Sequence, residues 1–84
     1  METFRYYALT VMGLHGSDPY AITEENLALI ANAGTTPRRI TAQLRARIDQ
    51  FRAILESGRN LMFGVAIAMP ISPEEYARRM GHRA

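Results

Sequence analysis

One long amphipathic stretch in the middle of the chain constrains its fold more than any other feature. Large apolar side chains recur there every three or four residues, a spacing that places them on one stripe of an α-helix. They are Ile40, Leu44, Ile48, Phe51 and Leu55. Because Thr36 can cap a free amide and Pro37 suits the first helical position, we predict a helix from Pro37 to about Gly58. Each such side chain, once buried, contributes roughly 1.5–3 kcal/mol, so this stripe would anchor the core.

The first turn of this predicted helix carries the wrong charge for its position. Arg38 and Arg39 follow Pro37 directly, although cations at a helix N-terminus are unfavourable by about 0.3–1 kcal/mol each. The other two helices that we expect begin with pairs of glutamates instead. Free amides, the hydroxyls of Thr35 and Thr36, and two guanidinium groups would together make a site for an anion or a partner. The alternative is that both arginines are solvated surface.

Arginine also recurs every seven residues along the predicted helix, at Arg38, Arg45 and Arg52. Asp49 and Glu56 stand four residues after the last two, so ion pairs of about 0.2–0.5 kcal/mol would neutralise part of this face. The candidate partner-binding or anion-binding residues are Thr35, Thr36, Arg38, Arg39, Gln43, Arg45 and Arg52.

Length and composition bound the class of protein. With 84 residues, the chain is expected to form one domain over residues 1–84. Its 48% apolar and 21% charged residues are typical of a globular protein. All ten lysine-plus-arginine positions are arginine, yet the net charge is only +2, a weak footprint for nucleic-acid binding. Cysteine is absent, which excludes disulfides and thiolate ligands.

No part of the sequence is apolar enough to predict a membrane segment. The longest run without a polar side chain, residues 61–71, contains Gly64 and Pro70 and falls far short of the ~20 residues that span a bilayer. The N-terminal region has charged residues at Glu2 and Arg5 and lacks the apolar region of a signal peptide. We therefore expect a cytoplasmic protein without membrane contact.

Two stretches have the residue types and alternation of β-strands, residues 4–14 and residues 61–69. The second stretch carries no side chain that favours water. It is therefore either covered on both faces, or its face of small residues meets another chain closely. Pro70 is expected to end this strand.

Capping signals predict two further helices. Thr23 is expected to cap the first of them, which would end at Ala33 and Gly34. The last helix would have Ser72 as its cap, a proline at its first position and Glu75 completing a capping box.

The resulting order is strand, helix, helix, strand, helix, which predicts a small α+β domain. Two strands separated by a helix pair should return antiparallel and adjacent, with the helices packed on one face. Because a two-stranded sheet alone is marginal in water, we predict a homodimer that extends or covers the sheet.

A polar segment after the first strand is predicted as a loop, and it holds His15, Ser17 and Asp18. A nucleophile needs a base within hydrogen-bond reach and a third group that orients the base, and the sequence does not establish this arrangement. One histidine and one aspartate are also too few ligands for a metal. We therefore expect no catalytic residues, metal or cofactor. An enzyme would need a site built across a dimer from residues such as Tyr6, Tyr7, His15 and Asp18.

Two functional hypotheses remain. The first is a small non-enzymatic binding protein that occludes a partner protein's surface, as inhibitors carried by phages and mobile elements do, anti-CRISPR proteins among them. The small size of the chain, and the lack of residues spaced as in a catalytic or metal site, favour this first hypothesis. The alternative is a helix-turn-helix regulator that binds nucleic acid with the helix starting at Pro37. The reading end would hold Arg38, Arg39, Thr41 and Gln43. Ile30, where that motif favours a small residue, counts against it.

Overall fold

The computed structural model describes residues 3–13 and 16–81. This part of the chain forms a small α+β structure with a four-stranded antiparallel sheet and three helices. In chain order the elements are β1 (Tyr6–Val11), β2 (Asp18–Ala21), α1 (Glu24–Ala31), α2 (Ala42–Glu56), β3 (Leu61–Phe63), β4 (Ala66–Ile71) and α3 (Pro73–Gly81). The predicted fold class is confirmed, whereas the predicted number of two strands is wrong.

The sheet has the strand order β2-β1-β4-β3. Its central pair is β1 and β4, which run antiparallel with Tyr6 opposite Ile71 and Val11 opposite Ala66. These two strands lie within or overlap the two stretches that the sequence predicts as strands, and their antiparallel pairing is confirmed. The outer strands are missed for different reasons: β2 begins in a segment predicted as a loop, and β3 is merged with the start of β4 into one predicted strand.

Strand β2 lies in the segment that the sequence predicts as a loop. Its Pro19 stands opposite Ala8 of β1, and Asp18 stands opposite Leu9. Proline has no amide hydrogen to donate, but an edge strand needs ladder hydrogen bonds on one side only, so the residue is tolerated there. The turn residues around it hide the strand from a composition-based prediction.

The single strand predicted over residues 61–69 is a hairpin. Gly64 and Val65 form a two-residue turn between Phe63 and Ala66, and Gly64 has a φ of 57°. A glycine with positive φ at the first turn position is typical of a type II′ hairpin. Strand β4 then continues past Pro70, because β3 pairs only as far as Ala68 and leaves that side of the proline without a ladder partner.

The helices pack on both faces of the sheet, so the prediction that they share one face is wrong. Tyr7 belongs to the core formed with α1 and α2. Its neighbour Tyr6 stacks on Tyr76 of α3, with ring centroids 4.1 Å apart. Since successive strand residues point to opposite faces, α1 and α2 cover the Tyr7 face and α3 covers the Tyr6 face. Helix α3 packs over β1 and β2.

The core follows much of the predicted helical stripe. Ile48 and Leu55 are fully buried in one cluster with Tyr7 and Leu27, and Leu44 and Phe51 pack against this cluster. These contacts join α2 to α1 and to the sheet. Ile40 is the exception, because it lies before α2 and is exposed.

The helix caps are mostly those predicted. The Asn26 amide donates to Thr23 Oγ1 at 3.1 Å, and the Glu75 amide donates to Ser72 Oγ at 3.0 Å. The Glu75 carboxylate accepts hydrogen bonds from Arg78 and Arg79, which lower the pKa of this carboxyl below its usual range. Helix α1 ends at Ala31, earlier than predicted. None of the described helices is long and apolar enough to cross a bilayer.

Candidate partner-binding surface

The connection between α1 and α2, residues 32–41, is held by hydrogen bonds at its start. The Gly34 amide donates to the Leu29 carbonyl at 2.7 Å, and Ala33 and Gly34 both have positive φ. The Asn32 side-chain amide donates to the Thr35 carbonyl at 2.9 Å, and the Thr35 hydroxyl donates to the Asn32 carbonyl at 3.0 Å. Thr35, which the sequence predicts as a binding residue, therefore holds the turn.

Helix α2 begins at Ala42 with Thr41 as its cap, so the predicted start at Thr36 and Pro37 is wrong. Thr41 Oγ1 accepts from the Leu44 amide at 3.1 Å. This later start keeps Arg38 and Arg39 out of the first turn, where the helix dipole would disfavour them. Thr36 and both arginines instead lie in the connection that precedes the helix.

An arginine-lined groove of about 330 Å³ lies between the end of α1 and the start of α2. We call it the arginine groove. The residues that give it its chemistry are Pro37, Arg38, Arg39, Thr41, Gln43 and Arg47. It brings together Arg38, Arg39, Thr41 and Gln43, the four residues that the sequence predicts as the reading end of a helix-turn-helix. It adds Arg47, which the sequence does not single out. Asp and Glu are absent from its described lining.

Within the described residues, no neighbouring carboxylate neutralises the positive charge in the arginine groove. Across residues 3–13 and 16–81, neither Arg38 nor Arg39 lies within ion-pair distance of an acidic group. Arg47 donates from Nη1 to the Ala31 carbonyl at 3.2 Å, which fixes its position without cancelling its charge. The groove therefore presents three guanidinium groups to whatever occupies it.

Arg45 and Arg52, also predicted as binding residues, do not line the groove. Arg45 Nη1 lies 2.6 Å from Glu24 Oε1 of α1, an ion pair between helices that the sequence does not predict. The hydrogen bond from Arg45, and its charge, lower the pKa of Glu24, and the more distant charge of Arg52 acts in the same direction. The sequence predicts Asp49 as the partner of Arg45, but Asp49 contributes only a longer-range charge interaction.

A second, apolar groove of about 560 Å³ opens where α1 and α2 meet the β3–β4 hairpin. We call it the apolar groove. Its principal apolar side chains are Leu9, Val11, Ile30, Phe51, Phe63 and Val65. The rings of Phe51 and Phe63 tilt against each other with centroids 5.9 Å apart. Arg47 and Ala31 line this groove as well as the arginine groove, so the two are contiguous.

The sequence did not reveal the apolar groove, because its walls come from distant parts of the chain. The alternation in β1 and in residues 61–69 places Leu9, Val11 and Phe63 on inward faces. However, nothing in the sequence shows that the packed helices leave this end of the sheet open. The aromatic pair across the gap is visible only in the folded chain.

The Tyr6 face of the sheet also exposes apolar side chains. Met62 is 77% exposed, and it stands opposite Ile67 in the register of β3 and β4. Ile67 in turn stands opposite Thr10, which shares the Tyr6 face. Helix α3 packs over β1 and β2 and leaves this half of the face largely open.

The polar segment before β2 has a structural explanation in its described part. The Ser17 hydroxyl accepts a hydrogen bond from Arg79 of α3, and Asp18 is the first residue of β2. His15, the third member of the predicted cluster, lies outside the described residues. In the described ranges, no three histidine or acidic side chains gather as metal ligands could.

Comparison with known proteins does not assign the chain to a family. No protein-family model, no curated protein and no solved structure matches the chain.

Proposed function

We propose that the chain is a small non-enzymatic binding protein that acts by covering part of a partner protein's surface. The observation that carries this proposal is the open apolar groove with Phe51 and Phe63 in its wall, set beside the arginine groove. Aromatic residues, methionine and arginine are the types enriched at protein interfaces. A concave apolar centre bordered by charge is also the arrangement that hot spots favour.

The biological form that we propose is an inhibitor of the kind carried by phages and mobile elements, such as an anti-CRISPR protein. The small size of the chain, 84 residues, is in keeping with this class. An inhibitor that acts by occupying a surface needs a binding face and no reaction centre. Cytoplasmic localisation belongs to the same proposal.

A photo-crosslinking experiment tests the proposal. Val65 is 63% exposed at the rim of the apolar groove, so a benzoylphenylalanine placed there should capture a defined protein from a lysate of the organism that encodes the chain. The matched control carries the same group at Glu74, an exposed position on α3. We expect a discrete cross-linked band from position 65 alone, weakened by Arg38→Glu/Arg39→Glu. Equal labelling from both positions would contradict the proposal.

Nucleic-acid binding is the second candidate, and the three unneutralised arginines of the arginine groove favour it. The helix-turn-helix form of this candidate does not fit, because residues 32–41 separate α1 from α2, whereas that motif joins its helices by a turn of about 3–4 residues. A duplex titration at about 50 and 200 mM salt separates the candidates. Tight, salt-steep binding that Arg38→Glu/Arg39→Glu abolishes would put this candidate first.

We also predict self-association, but not for the reason that the sequence suggests. The sheet already has four strands, so a second copy is not needed to complete it. The open half of the Tyr6 face, with Met62 exposed, now supports a homodimer. Light scattering at tens of micromolar should give twice the 9.4 kDa chain mass, and Met62→Glu should return it to the monomer mass. A wild-type monomer at that concentration would contradict the prediction.

A further inference from the structure

We infer that the arginine groove and the apolar groove form one docking surface, and that its occupant is an acidic protein segment anchored by a bulky apolar side chain. This inference rests on the proposed function, since it names the chemistry of the partner that would be covered. It gives the two grooves one ligand instead of two.

The continuity of the surface depends on Arg47. This residue lines both grooves, and its hydrogen bond from Nη1 to the Ala31 carbonyl holds the guanidinium group at their junction. A guanidinium group has five N–H donors, so one backbone contact leaves most of them available to a ligand. A chain that leaves the apolar groove toward α2 must therefore pass a fixed cation.

Charge complementarity selects an acidic occupant. Arg38, Arg39 and Arg47 line the surface, and no acidic side chain belongs to the described lining of either groove. Elsewhere in the described chain, Arg45, Arg78 and Arg79 each pair with a glutamate. Arginine binds carboxylates in a planar two-point geometry. Carboxylates on the occupant would supply at the groove the kind of partner that Arg45, Arg78 and Arg79 find within the chain.

The apolar groove favours a protein segment over a nucleic acid. Its wall combines aliphatic and aromatic side chains, with Leu9, Val11 and Phe63 from the sheet and Ile30 and Phe51 from the helices. A phenylalanine or leucine side chain fits such a concave apolar site, whose volume lies within the range of about 300–1,000 Å³ that ligand sites occupy. A nucleic-acid duplex keeps its bases stacked between its two strands and presents mainly its charged backbone, which has no large apolar group to place there. Because the apolar groove and the arginine groove are contiguous, the occupant would carry its carboxylates within a few residues of the apolar side chain that anchors it.

To test the inference, peptides that bind the immobilised wild-type chain are selected from a display library of random linear peptides. We expect the enriched peptides to combine aspartate or glutamate with a phenylalanine, leucine or tryptophan. Binding of one enriched peptide, labelled with fluorescein, is then measured by anisotropy. Arg38→Gln/Arg39→Gln should weaken it about tenfold, the loss expected for a hydrogen bond to a charged group. Val65→Ser should weaken it at the other end of the surface.

The variants are chosen so that a folding defect does not imitate the expected result. Arg38 and Arg39 are exposed and make no ion pair in the described chain, so their replacement should leave the unfolding midpoint unchanged. Arg59→Gln is the matched control, because Arg59 is an exposed arginine just after α2 that lines neither groove. Its replacement should leave the affinity unchanged.

Three outcomes would overturn the inference: enriched peptides without acidic residues, affinity that Arg38→Gln/Arg39→Gln leaves unchanged, or displacement of the peptide by an equal concentration of DNA duplex. The cross-link at position 65 distinguishes this failure from failure of the proposed function. If that cross-link captures a protein while the selected peptides are not acidic, only the inference about partner chemistry fails. If no protein is captured from either position, the proposed function fails with it.

Discussion

Replacing Leu55 by alanine lowers the free energy of unfolding by about 2–5 kcal/mol, the range for a buried leucine whose site cannot fully collapse. Leu55 is fully buried on α2 and belongs to the cluster with Tyr7, Leu27 and Ile48. The cavity would therefore open between α2, α1 and the sheet. Since domains of this kind are stable by only about 5–15 kcal/mol in total, the variant should unfold at a clearly lower urea concentration.

Urea unfolding followed by circular dichroism measures this effect. Met12→Ala is the matched control, because Met12 is a large apolar residue that is 79% exposed. Its replacement should change the free energy of unfolding by no more than about 0.5 kcal/mol. If both variants unfold at the same urea concentration as the wild type, Leu55 does not lie in the core that the structure shows.

Raising the pH above about 10 destabilises the fold, with a slope that comes from Tyr7. Burial, reinforced by the nearby Tyr20, raises the pKa of the Tyr7 phenol well above its usual range. Above pH 10 the unfolded chain releases this proton and the folded chain keeps it. The unfolded state then binds fewer protons, so the free energy of unfolding falls as pH rises. The slope is about 1.4 kcal/mol per pH unit until the folded phenol itself ionises.

Tyr7→Phe removes this titrating group and should flatten the alkaline slope. Urea unfolding between about pH 9 and pH 11, a range that spans the ordinary tyrosine pKa, gives the measurement. The Tyr6→Phe variant retains Tyr7 and should keep the slope. An unchanged slope in Tyr7→Phe would show that another group controls the alkaline stability.

The apolar stripe of α2 and the helix caps could be predicted because both depend on residues close together in the sequence. Ile48 and Leu55 are buried where the helical spacing places them, and Thr23 and Ser72 accept the expected amide hydrogen bonds. Local hydrogen bonding and a regular period are enough to identify such features.

The errors occur where two local signals compete or where a tertiary contact decides. Thr36 and Thr41 are both acceptable helix caps, and the structure uses Thr41. Gly64 is compatible with a strand of small residues, yet its positive φ makes it a hairpin turn. Pro19 suggests a loop until Ala8 is found opposite it in an edge strand. Each of these choices depends on where the neighbouring element packs.

The candidate surface was predicted in part. Arg38, Arg39 and Gln43 do line one groove, because they are near one another in the sequence. Arg45 faces Glu24 instead, which requires α1 and α2 to be packed before it can be seen. Arg47 lies at the junction of the two grooves, where it donates a hydrogen bond to the Ala31 carbonyl at the end of α1. This contact between helices cannot be seen in the sequence.

The pairing of β1 with β4 has a consequence for how the chain acquires its structure. The centre of the sheet joins residues 6–11 to residues 66–71, so it closes a loop that includes α1 and α2. Closing so large a loop costs chain entropy before any sheet contact compensates for it. The α1–α2 pair, whose contacts are more local, can form earlier. Until the sheet forms, however, the apolar side chains of α2 that pack on the sheet stay exposed to solvent. We therefore expect folding to be limited by the meeting of these two strands, and during synthesis on the ribosome to be completed only after β4 has emerged.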